Sequence, residues 1–215
     1  MYLNDLIQSK WKLEKQNEEG DIYVVMKEVS DKTYFHLLCK KIDKEYYDNF
    51  EKTYNIKLLP ELKEFYNNYN GCKLFHSSIV IYGIGVGESK PMDFFINDLN
   101  KHNEIPKNEI TQEELDDIVF FGGVGDYNLY YKQSELNNPQ IYLSQNGNIK
   151  PKQQFGSIQE LMQFYFKYLT IEYDKKGYRK HPITEKWCKK IPVIANSFNG
   201  DIDWEIPTET QEETR

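Results

Sequence analysis

The stretch IVFFGGVGDYNLYY, Ile118 to Tyr131, sets three glycines between two aromatic-rich runs. Two readings compete. A phosphate cradle needs its glycine loop to feed a helix, whose N-terminus supplies free backbone N–H groups and positive dipole. Here Gly122 to Asp126 feeds YNLYYKQ, which carries neither a cap nor helical spacing. The stretch also lacks G-x-G-x-x-G and Gly-Lys-Ser/Thr. The sequence therefore predicts a strand, a five-residue glycine loop over Gly122–Asp126 with positive φ angles, and a second strand.

Working outward, the flanking segments extend a meander and add helices. QIYLSQNGNIKP carries Asn146-Gly147, a strong hairpin signal. SIQELMQFYFKYL opens with Ser157 and Glu160 in capping-box spacing and lines up Ile158, Leu161, Met162, Tyr165 and Tyr168. Upstream, TQEELDD pairs Thr111 with Glu114 in the same way. SKPMDFFINDLNKH places Met92, Phe95, Ile96 and Leu99 at helical spacing. Asp43 is placed to cap a helix with Tyr46, Tyr47, Phe50 and Tyr54 on one face. Leu59-Pro60 opens another, with Leu62, Phe65, Tyr66 and Tyr69 in phase and Gly71 as its left-handed terminator. SSIVIYGIG reads as a buried strand. DIYVVMKEVSDKTYFHLLCKKI reads as a hairpin about Ser30-Asp31-Lys32, preceded by a short helix within residues 1–20. These pieces define a 1–40 extension, a 41–170 α+β domain, and a 171–215 extension.

Composition narrows the function classes. The chain has 215 residues, 28% charged and 15% aromatic, with net charge -7. An acidic chain is a poor general nucleic-acid binder and a natural partner for a basic protein. Much of the acidity is terminal: from Asp201 onward six acids face one arginine. Lys175 to Lys190 forms a basic stretch whose Tyr173 and Tyr178 are available to stack on bases, or which pairs with the acidic tail. The 17 tyrosines fit either interfaces or a codon-biased genome. The N-terminus lacks a basic start with an apolar run, and no apolar run approaches membrane-spanning length. A cytoplasmic location is expected. Cys39, Cys72 and Cys188 are isolated thiols rather than a disulfide framework or zinc site.

The order of elements resembles the SUKH superfamily, the Smi/Knr-like fold. The resemblance rests on Leu59-Pro60 opening a helix, Asn70-Gly71, Ile81-Tyr82-Gly83, Phe121-Gly122, Gly125-Asp126 with Tyr130, and the helix Ser157 to Tyr168. It covers about residues 40 to 170. It implies an α+β domain with an antiparallel-rich (mixed) sheet flanked by helices. It further implies a cytoplasmic immunity protein that binds a toxin, often a nuclease. The alternative it implies is a regulatory scaffold of the cell-wall and signalling type. The extensions on either side depart from the compact family pattern.

No catalytic constellation competes with that reading. His36, His76, His102 and His181 lack metal-pair spacing. No Gly-x-Ser-x-Gly elbow surrounds Ser77-Ser78. No cofactor loop is expected. Glu113, Glu114, Asp116, Asp117 and Asp126 bracket one strand, with Asp126 placed at the end opposite Asp116-Asp117. That separation disfavours a paired acid–base site. These five acids, with Tyr127, are the candidate partner-binding residues. They read either as a solvated acidic rim or as a patch that meets a basic protein.

Overall fold

A computed structural model describes residues 15–16, 20–25, 34–84, 105 and 110–172. The sheet runs in chain order: β1 (Lys15–Gln16), β2 (Ile22–Val25), β3 (Tyr34–Lys40), β4 (Tyr69–Leu74), β5 (Ile79–Ile81), β6 (Ile118–Val124), β7 (Tyr127–Lys132), β8 (Ile141–Gln145) and β9 (Pro151–Phe155). Each strand pairs with the next, and every described pairing is antiparallel. The antiparallel-rich α+β sheet expected from sequence thus has no parallel pair among the described strands. Helices α1 (Lys44–Tyr54) and α2 (Pro60–Tyr66) fill the β3–β4 connection. A short α3 (Gln112–Asp117) precedes β6, and α4 (Ile158–Glu172) follows β9.

The aromatic runs of Ile118–Tyr131 are buried on both faces of the sheet. Val119, Phe121, Leu129 and Tyr131 join the main core with residues of α1, α2 and α4. Ile118, Phe120, Tyr130 and Tyr142 form a second cluster, with Ile105, on the opposite face. Alternate side chains along a strand point to opposite faces, so a run apolar at both parities needs cover on both sides. A bulge between Phe120 and Gly122 adjusts the register midway.

The expected five-residue loop is a two-residue turn, Gly125-Asp126, because Gly122 and Gly123 belong to β6. Gly125 has φ 55 and Asp126 is not among the positive-φ residues, the φ signs of a II′ hairpin turn. Gly122 serves close approach instead: a Cβ there would lie 2.3 Å from the Val80 carbonyl oxygen on β5. The helix over Leu62 stops at Tyr66, and Gly71, at φ 94, lies within β4. Tyr69 is therefore a strand residue. Lys15–Gln16, expected in a short helix within residues 1–20, are a strand that gains ladder bonds by pairing with Tyr23 and Ile22, and residues 1–14 and 17–19 lie outside the described residues. Asp43 holds the α1 N-cap position without a side-chain capping bond. Tyr47 and Phe50 are buried, whereas Tyr46 and Tyr54 stay exposed at 46% and 57%. The helix expected over Met92–Leu99, the turn at Ser30–Lys32, the basic stretch and the acidic tail lie outside the described residues.

Two motifs of the resemblance meet in space. The Asn70 side chain accepts from Ile84 N–H at 2.7 Å and donates to the Ile84 carbonyl at 2.8 Å. Gly83 permits that approach, since its missing Cβ would sit 2.5 Å from the Asn70 carbonyl oxygen. Tyr66 Oη donates to the Tyr82 carbonyl at 2.9 Å. Helix α2, β4 and the end of β5 are thereby locked by one amide, one missing side chain and one phenol. The tyrosines follow the same logic: Tyr66, Tyr130 and Tyr131 are buried with each hydroxyl donating to a backbone carbonyl. A buried phenol needs such an acceptor. Among the described residues, these three tyrosines are core residues first.

Candidate functional site

Strand β6 has seven residues, so its ends lie about 20 Å apart at ~3.3 Å per residue. Glu113, Glu114, Asp116 and Asp117 sit at one end, on α3. Asp126 and Tyr127 sit at the other, in the β6–β7 turn and the start of β7. The structure therefore splits the candidate residues into two groups, as the sequence predicts.

At the α3 end most of the carboxylates serve the fold. Thr111 and Glu114 form the full capping box: Thr111 Oγ1 accepts from Glu114 N–H, and the Glu114 carboxylate accepts from Thr111 N–H at 2.9 Å. That backbone bond, helped by the Thr111 hydroxyl, holds the Glu114 carboxyl below its usual range. Asp116 accepts from the Gln112 amide at 2.6 Å. Asp117 accepts from Ser134 N–H and from Ser134 Oγ, both at 2.6 Å. Gln133 donates to the Asp116 carbonyl and accepts from Lys57 N–H, which ties α3 to the α1–α2 loop. Glu113 is exposed and carries no such bond among the described residues. Asp117→Ala removes two charge-assisted bonds to Ser134 and is expected to lower stability by about 1–2 kcal/mol, measured by urea unfolding.

The opposite end is a rim of three hairpin turns. The β4–β5 turn holds Phe75, His76 and Ser77 at φ 51, 52 and 70, three consecutive left-handed non-glycine residues. Each costs roughly 1–2 kcal/mol relative to ordinary backbone. The strain is held in place by His76 N–H donating to the Phe35 carbonyl at 3.0 Å and Phe75 N–H donating to His36 Nδ1 at 3.2 Å. Ser78 N–H and its hydroxyl both donate to the Phe75 carbonyl. The Ser78 carbonyl accepts from Gly125 N–H at 3.0 Å, and the Asp126 carbonyl accepts from Asn146 N–H at 3.2 Å. These lateral bonds join the three turns. Helix α4 backs them, with Phe166 edge-on to Phe75 at 5.1 Å. Nothing in FHSSIV announces such strain, because glycine, the usual marker of a positive φ, is missing from it. Ser77→Gly should relieve part of it and raise the thermal midpoint by a few degrees, ~0.5–1 kcal/mol.

Among the described residues no three His, Cys, Asp or Glu side chains cluster as a metal site would require. His36 is a core residue, lowered to a pKa of about 3 first by burial and then by His76. Cys39 and Cys72 are buried free thiols. Burial pushes Cys39 up to about 12, with Asp21 adding to the shift. His102, His181 and Cys188 lie outside the described residues.

The geometry is that of a both-faced antiparallel sheet with two polar ends, and the glycine stretch turns a ribbon without opening a helix. The model of the SMI1 / KNR4 family (SUKH-1) matches residues 41–199, more than half of the chain. The chain belongs to the SUKH-1 family. No curated protein matches it. The SUKH-1 match extends past Thr170, so it takes in residues 171–199 as well. Strands β1–β3 precede or border the SUKH-1 span yet continue its sheet, and Val24, Phe35 and Leu38 join its core. No described helix of this SUKH-1 chain is long and apolar enough to cross a membrane.

Proposed function

We propose that this SUKH-1 chain is a non-enzymatic protein-binding domain acting in the cytoplasm as an immunity protein. It neutralises a cognate toxin, of the nuclease class, by covering it. The observation that carries this reading is the β6–β7 ribbon: its glycines serve strand approach and a tight turn, in a chain whose SUKH-1 membership fits an immunity role. Its polar groups are spread over two ends of a rigid sheet, an arrangement suited to contact over an area. Carboxylates facing a cationic nuclease site would stand where nucleic-acid phosphates bind. They would speed encounter and fix orientation, and salt would weaken that steering.

The test is survival. The reading expects a secreted toxin encoded beside this gene, and cells expressing its toxin domain should grow when the chain is co-expressed and die without it. Death in both cases, with the chain instead co-purifying stoichiometrically with a host regulatory enzyme, would replace this reading by the scaffold reading. Cleavage of RNA by the purified chain, abolished by a single Asp or Glu substitution, would replace both by an enzyme.

A further inference from the structure

The two ends of the sheet are not equivalent. At the α3 end Glu114, Asp116 and Asp117 already bond within the fold. At the rim the Asp126 carboxylate and the Tyr127 hydroxyl bond to no described group. Tyr127 is 38% exposed, and with Tyr46 and Tyr54 it is one of the three large exposed hydrophobics among the described residues. Its ring lies on the α4 side of the sheet, close enough to Tyr165 to help raise that phenol. Beside it stands the strained turn, with His76 and Ser77 exposed. Strain of this kind persists only where its surroundings enforce it, and it concentrates at ligand clamps.

We propose that the rim formed by His76, Ser77, Asp126, Tyr127 and Asn146 is the docking face for a protein segment that presents an arginine beside an aliphatic side chain. This rests on the protein-binding reading above. The carboxylate of Asp126 takes the guanidinium head, and the half-exposed Tyr127 ring takes its planar face and the neighbouring aliphatic carbons. The preformed turns fix the backbone that carries both groups, which lowers the ordering cost at the moment of binding. Tyrosine and arginine are the residues that most often carry interface energy.

The probe is the capped tripeptide Arg-Leu-Arg, titrated into the full-length 15N-labelled chain. Saturable shifts are expected at Ser77, Gly125, Asp126 and Tyr127. Asp126→Asn and Tyr127→Ala should each weaken the peptide by about fivefold or more, whereas Glu64→Gln, at an exposed position of α2, should leave it within about twofold. Both substituted rim side chains are exposed, so the variants should fold, and the unshifted amides of β6 report that they do. Saturation at Glu113–Asp117 with a silent rim overturns the proposal, as does a titration without saturation anywhere. A silent rim in a chain that still protects cells leaves the immunity reading standing and removes only the rim. A saturable rim in a chain that fails to protect does the reverse.

Discussion

Gly122→Ala is expected to be the most damaging small substitution in the β-ribbon. The added methyl carbon would lie 2.3 Å from the Val80 carbonyl oxygen and 3.4 Å from Ile81 Cα. These are backbone atoms of a neighbouring strand, so no flexible side chain can move aside. Relief requires β5 and β6 to separate where Ile81 opposes Gly122 and Val80 opposes Gly123. The ladder there joins β1–β5 to β6–β9. Overpacking together with lost ladder bonds should cost about 3–5 kcal/mol, a large part of the 5–15 kcal/mol that a domain possesses. Gly125→Ala is the internal comparison. Nothing lies within 4 Å of a Cβ at that position, and only its φ of 55 resists substitution. That change should cost about 1–2 kcal/mol. Urea midpoints should therefore fall much further for Gly122 than for Gly125. Equal losses would contradict the close approach of β5 and β6.

The second large effect is acid sensitivity from His36. Burial between aromatic neighbours, with a smaller contribution from His76, keeps its imidazole neutral down to about pH 3. Phe35 and Phe75 lie with ring centroids 4.3 and 4.7 Å away. Nδ1 accepts from Phe75 N–H, so it cannot also carry a proton without breaking the bond that anchors the strained turn. In the unfolded chain the same histidine takes up its proton near pH 6.5. The unfolded state thus binds more protons between those two values. The stability contributed by neutral His36 is complete above pH 6.5 and is lost as the pH falls toward 3. The loss should reach about 3 kcal/mol by pH 4. His36→Gln keeps an acceptor for Phe75 and removes the titration. The wild-type-minus-variant stability difference, from urea unfolding at fixed ionic strength, should fall with decreasing pH across this window. A flat difference would place His36 in contact with solvent.

The order of elements was legible in the sequence because it rests on short-range chemistry. Thr111 and Glu114 form the box their spacing predicts. Asn146-Gly147 turns the chain between β8 and β9, with Gly147 at φ 74. Ser157 accepts from Glu160 N–H as expected, but the Glu160 carboxylate takes Gly156 N–H, and Glu61 from α2 takes Ile158 N–H. That last bond spans 97 residues, and no local pattern contains it. Glycine was the least reliable guide. A positive φ ends helices and also kinks strands, so Gly71 in β4 has the same signature as a helix terminator. A glycine that admits a neighbouring backbone looks in sequence like one that turns, which is why Gly122 and Gly123 read as loop. The split of the candidate acids was legible from strand length. The bonding of Glu114 was legible as a capping box, but that of Asp117 was not, since its partner Ser134 lies in the turn after β7, 17 residues along the chain.

The fold and the proposed function both require Ile118–Tyr131 to be an antiparallel ribbon that turns at Gly125-Asp126. The direct test is a three-dimensional 15N-edited proton NMR spectrum of this stretch, recorded with and without inorganic pyrophosphate. Cross-strand contacts should join Gly123 to Asn128 and Val119 to Tyr131, following the register seen here. The amides of Gly122 to Asp126 should not respond to pyrophosphate. Sequential amide–amide contacts running from Tyr127 to Tyr131 as in a helix, with those glycine amides shifting saturably on pyrophosphate, would contradict the ribbon and the function built upon it.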